Sequence, residues 1–212
     1  MFDTGEPYAR GELVAALREL EVAGMANLAS MPGVEFFEAQ GSAWSPAEHV
    51  RHLAKSARPV ARALDVPRIV LAFRFGLHRG RSPSFADLRG RYLAQLAAGA
   101  TAGRFTPTRR SLPGDLDVGR DATLSEWRDA NRALEAALAG WAERSLDRYR
   151  LPHPVLGPLT LREMMMFTVY HSSHHLRRIA ERRGGVPASA ARDGRGIEAI
   201  ALHSDTKRSA GT

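Results

Sequence analysis

Three histidines and two arginines fall within the nine residues HSSHHLRRI, 171–179, of a chain that holds eight histidines in all. His171 and His175 are four residues apart, a spacing that stacks side chains on one face of a helix. Two imidazoles so placed can converge on one metal ion, with N–metal distances of roughly 2.0–2.1 Å. On a helical wheel Leu161, Met164, Thr168 and Ile179 share their side, which turns the pair toward a core and His174 toward its flank. Buried imidazoles cost free energy unless their nitrogens are satisfied. A metal satisfies them without bringing two positive charges together; backbone or tyrosine partners would do so without chemistry. The spacing alone leaves both readings open.

A metal site inside a helical bundle draws its ligands from facing helices, and His49 and His52 are the candidates. Val50, Leu53, Ala57, Val60 and Leu64 mark the apolar side of their helix, and Arg51, Lys55, Arg58 and Arg62 the wet side. Periodicity places His49 nearer the apolar centre and His52 at its edge. His49 also suits a plainer task, packing against Trp44 as a hydrophobic staple. Residue pattern does not choose between them.

The elements that must carry these residues are helical almost throughout. A first amphipathic helix is expected over about Gly11–Ala29, ended by Pro32 and Gly33. WSPAEHV then starts a second, with Ser45 as N-cap, Pro46 at N1 and Glu48 closing a capping box; it runs to about Leu64, bent at Pro59. Short helices are expected over Arg68–Leu77 and from Ser84 to about Ala98, followed by a Gly/Pro/Thr-rich loop. Thr123 and Glu126 read as the capping box of the next long helix, with Leu124, Trp127, Leu134, Leu138 and Trp141 at core spacing and Asn131 interrupting the stripe. Thr160 and Glu163 cap the last helix, which Gly184 ends. No alternating pattern of useful length predicts a strand. The expected fold class is all-α: a four-helix bundle with extra helical pieces between the second and third long helices. The bundle occupies 1–185, and 186–212 reads as a mobile extension.

Composition bounds the function. The 212 residues carry 44% hydrophobic and 25% charged residues, ordinary for one soluble domain. No run approaches a membrane span, and the acidic, polar start is not expected to act as a signal peptide. Without cysteine, disulfides, thiolate ligands and a cysteine nucleophile are excluded, and a cytoplasmic location is expected. The net charge is +7 with only two lysines among 30 basic residues. Those arginines are scattered rather than interleaved with aromatics, which argues against nucleic acid as the main partner.

WSPAEHVRHLAKSA, followed much later by LPHPVLGPLTLREMMMFTVYHSSHHLRRIAE, resembles the DinB-like superfamily of metal-binding four-helix bundles. The resemblance implies that the histidine eight residues after the tryptophan, His52, joins His171 and His175 around one divalent metal. All-imidazole ligation suits Zn, Ni, Cu or Fe(II) and disfavours Mg or Ca, with Zn or Ni the expected ion. Three ligands and open positions form a catalytic pattern. The long insertion between Asp65 and Asp121 departs from the family plan.

The resemblance further implies thiol-dependent transferases that use a low-molecular-weight thiol, a small electrophilic substrate and a homodimer. A non-catalytic metal- or ligand-binding bundle and a metal-dependent hydrolase are the alternatives. Hydrolysis needs a general base, and the last helix has Ser172 where an HExxH motif places Glu; Glu48 is the remaining candidate. Arg178 and Arg182 continue the His171 edge and could grip a thiol cofactor's carboxylates, although arginines also suit a helix C-terminus. Met164–Met166 read as packing, Trp44, Trp127 and Trp141 as anchors. His78 and His153 fall in loops with no evident role.

Overall fold

The computed structural model describes residues 2–107 and 110–184; the expected extension, 186–212, lies outside them. Helices α1 (Arg10–Ala29), α2 (Gly33–Phe37), α3 (Pro46–Leu64), α4 (Arg68–Phe75), α5 (Phe85–Ala97), α6 (Leu116–Ala139) and α7 (Leu161–Arg183) carry the chain. The four long ones form the bundle. Both α1 and α3 pack against α6 and α7, so α3 and α7 are neighbours and their histidines can meet. No helix among the described residues is long and apolar enough to cross a membrane.

Local chemistry accounts for the site-bearing helices. Ser45 Oγ accepts from Glu48 N while the Glu48 carboxylate accepts from Ser45 N at 2.8 Å, and Pro46 occupies the first turn. Pro59 sits inside α3 without ending it. Thr160 and Glu163 make the same reciprocal box at α7. Leu13, Leu17, Leu124, Trp127, Leu134, Leu138, Met165 and Met166 form the core with almost no exposure. Gly24 lets α1 approach closely: a Cβ there would lie 2.6 Å from the Trp127 ring and 3.1 Å from Leu176.

Two expectations are corrected. The third long helix starts at Leu116, where Asp115 Oδ1 accepts from Asp117 N and Val118 N, both at 3.0 Å. Thr123 is well inside it, its hydroxyl turned back onto the Gly119 carbonyl at 2.9 Å. The box pattern at Thr123 therefore marks no start, because an aspartate cap further upstream had already begun the helix. Trp141 falls beyond the helix end, yet remains an anchor, donating its indole N–H to Leu64 O at 3.0 Å.

The fold also contains a small antiparallel hairpin, β1 (Arg150–His153) and β2 (Gly157–Thr160), leading into α7. Pro152 faces Pro158 in its register, and neither strand exceeds four residues. Such a short, proline-bearing pair shows no readable alternation. Gly157 turns the chain with φ of +75°, a conformation that favours glycine.

Candidate metal centre

His52 comes from α3, His171 and His175 from α7, and one ring nitrogen from each lies within 4.8 Å of the others. Nε2 of His171 is 2.9 Å from Nε2 of His52 and 3.2 Å from Nε2 of His175. Two imidazole nitrogens sharing one ion at roughly 2.0–2.1 Å sit about 2.9–3.4 Å apart for right-angle to tetrahedral geometry. The three residues therefore fit a single transition-metal ion, with a donor set of neutral nitrogens.

The surroundings aim these nitrogens. His52 Nδ1–H donates to the Phe105 carbonyl at 2.8 Å, which leaves the Nε2 lone pair facing the centre. Phe105 closes a 3-10 turn, Gly103–Phe105, and Lys55 Nζ donates to the next carbonyl, Thr106 O, at 2.9 Å. The segment between α5 and α6 thus supplies a wall of the centre. His175 Nδ1 shares one proton with His49 Nδ1 across 2.8 Å. With the proton on His175, its Nε2 lone pair also faces His171.

Of the two histidines that periodicity could not separate, His52 joins the His171–His175 cluster and His49 stands behind His175. Trp44 does more than staple His49: its ring lies 5.1 Å from His52, 5.5 Å from His49 and 6.0 Å, stacked, from His175. Phe167 stacks on His171 at 5.1 Å. Tyr92 and Leu96 of α5 pack with Phe167 and Tyr170.

Burial, then neighbouring positive charge from other histidines, holds His171 and His175 well below the usual imidazole range. Burial and the charge of His52 push His49 down to about 3. Burial takes His52 to about 4, against the upward pull of its Phe105 bond. All four are neutral at physiological pH, the form that ligates metals. His174 is half-buried and brought to about 4 by burial and by Arg178 and Arg177; it touches Tyr170 and His175 rather than joining the triad.

His153, expected in a loop, ends β1 and is buried. Its Nδ1 accepts from Val155 N and Leu156 N, and its ring packs edge-on to Phe167 at 4.2 Å. Burial lowers it to about 4. Arg182 spans the end of α7, donating to Trp44 O at 2.6 Å and Glu38 O at 3.0 Å. Arg178 and Arg182 both bear on His49 electrostatically. Glu48 is held in its cap by Ser45. Phe105 has no local tie to the triad in sequence, whereas Phe167, one turn before His171 on α7, carried a helical-spacing signal that the sequence reading did not use.

The same architecture occurs elsewhere. The fold is similar to YfiT from Bacillus subtilis, described as a probable metal-dependent hydrolase with an unusual four-helix bundle topology, with 16% identity and a TM-score of 0.51. The alignment covers 83% of this chain and 87% of that one; at that identity the likeness speaks for the fold. No curated protein is a significant match. Residues 8–179, nearly the whole described chain and all of the triad, match the DinB superfamily, and the chain belongs to that family.

Proposed function

We propose that the protein is a metal-dependent enzyme that joins a low-molecular-weight thiol to a small electrophile. His52, His171 and His175 would hold one divalent transition metal, Zn or Ni. The observation that carries this is the convergence of three buried Nε2 atoms within 3.2 Å along the chain of contacts. A metal held there supplies Lewis acidity, which favours the ionised form of a thiol at neutral pH. The Phe105 carbonyl and His49 orient two of the ligands. Trp44 and Phe167 cover the imidazoles with apolar surface, which limits water and strengthens electrostatic effects. Arg178 and Arg182, beside His49, supply positive charge toward a carboxylate-bearing thiol. In the reaction the sulfur–carbon bond forms as the leaving group departs with its electron pair, and the thiol proton passes to solvent.

Hydrolysis is the second reading, favoured by the likeness to YfiT. Against it, no carboxylate joins the three histidines among the described residues, and Glu48, the nearest candidate in sequence, is engaged by Ser45. The test is metal content of the tag-free protein, followed by turnover of an electrophile panel with and without added thiols. Metal-dependent thiol consumption, lost in His171→Ala, is expected. Ester cleavage without thiol would replace transfer by hydrolysis. Metal binding without turnover of either kind would leave a non-catalytic binding bundle.

A further inference from the structure

We propose that a cleft apart from the triad binds a small phosphorylated molecule. A cavity of about 630 Å³ opens between the segment after α4 and the connection from α6 to β1, lined by Leu77, His78, Arg79, Arg144, Asp147 and Arg148 among others. Its volume falls within the roughly 300–1,000 Å³ usual for small-molecule sites. The neighbouring Arg162 precedes His171 by nine residues on α7, roughly 13 Å along the helix axis, so the two sites do not share walls.

The charge of this cleft is one-sided. Arg79, Arg144 and Arg148 are exposed and make no ion pair among the described residues. Asp147 is the carboxylate in the lining, and both its oxygens are engaged: Arg162 Nε reaches Oδ1 at 2.7 Å and Nη2 reaches Oδ2 at 3.0 Å. Arg162 is itself buried, with Glu143 as a further partner at 2.6 Å. Three guanidinium forks therefore line one cavity, outnumbering the single lining carboxylate, Asp147. Such forks match the oxygens of a phosphoryl group in pairs.

The walls are also fixed. His78 N donates to Arg148 O at 2.8 Å, His78 Nδ1–H to Asp147 O at 3.1 Å, and Leu77 bridges to Tyr149. These bonds hold the backbones bearing Arg79 and Arg148 at a set separation, which lowers the ordering cost of binding. Leu77, 40% exposed, gives an apolar edge for the organic part of the ligand.

The experiment is calorimetric titration of the full chain with pyrophosphate and with inorganic phosphate, at constant ionic strength set by chloride. It is run on the parent, His171→Ala and the double variant Arg144→Gln/Arg148→Gln. Saturable binding unchanged in His171→Ala and weakened at least about tenfold in the double variant is expected, from the loss of charge-assisted bonds. Because His171→Ala removes the triad, this outcome does not depend on the metal reading. Absence of saturable heat, or equal binding by the double variant, would reduce the cleft to a solvated basic face. Binding lost in His171→Ala would assign the anion to the triad instead. Either result overturns the proposal.

Discussion

His49 offers the sharpest test of how the centre is held. It is 5% exposed and its partner His175 3% exposed, so replacing His49 with Leu strands the His175 Nδ1–H away from water. Leaving one buried donor unpaired costs about 1–3 kcal/mol. Losing the group that orients a ligating imidazole weakens metal binding by roughly 10–100-fold. At about 1.4 kcal/mol per tenfold, the two figures agree. The expectation is that His49→Leu still takes up about one equivalent of metal with a Kd roughly 10–100-fold higher, measured by competition with a chromophoric chelator. His49→Gln, whose amide can offer His175 an acceptor, recovers part of the loss. His52→Leu, which removes a ligand, retains no stoichiometric metal. Metal lost from His49→Leu but kept by His52→Leu would reverse the assignment of ligand and buttress. An unchanged Kd in His49→Leu would show that His49 does not set the His175 tautomer.

Acid should destabilise the metal-free protein early. His49, His52, His153 and His174 titrate at about 3 to about 4 when folded, against roughly 6.5 unfolded. The unfolded chain therefore binds more protons between those values, and stability falls as pH drops from about 6.5 toward 4 and is flat above; urea midpoints across that range read the slope, and a pH-independent midpoint would contradict it. Lys55→Met frees the Thr106 carbonyl from its tether and should loosen the turn that presents Phe105 to His52, weakening metal affinity several-fold with little change in urea midpoint. Gly24→Ala places a Cβ 2.6 Å from Trp127 and should cost about 1–3 kcal/mol by overpacking; an unchanged urea midpoint would mean that α1 shifts freely.

Most of the scaffold was legible because its signals are local. Ser45 with Glu48 and Thr160 with Glu163 each place a hydroxyl and a carboxylate three residues apart, and the backbone they cap is their own. The same pattern at Thr123 and Glu126 marks no helix start, since a threonine inside a helix can donate to the carbonyl of the residue four positions before it, here Gly119. The hairpin before α7 leaves no sequence signal because four-residue strands with paired prolines have no period to read.

For the centre, the sequence by itself determined that His171 and His175 share one face of α7, because four residues advance a helix by about one turn. It also determined that α3 presents both His49 and His52 near its apolar side. Which of the two meets α7's pair was decided by tertiary structure, through the way α3 lies along α7: Nε2 of His52 reaches His171, while Nδ1 of His49 reaches the back of His175. The Phe105 carbonyl, 53 residues from His52, belongs to the same class of fact. A ring's tautomer depends on whatever acceptor the fold brings to its other nitrogen, and no spacing along one helix can specify a partner delivered by another segment of chain.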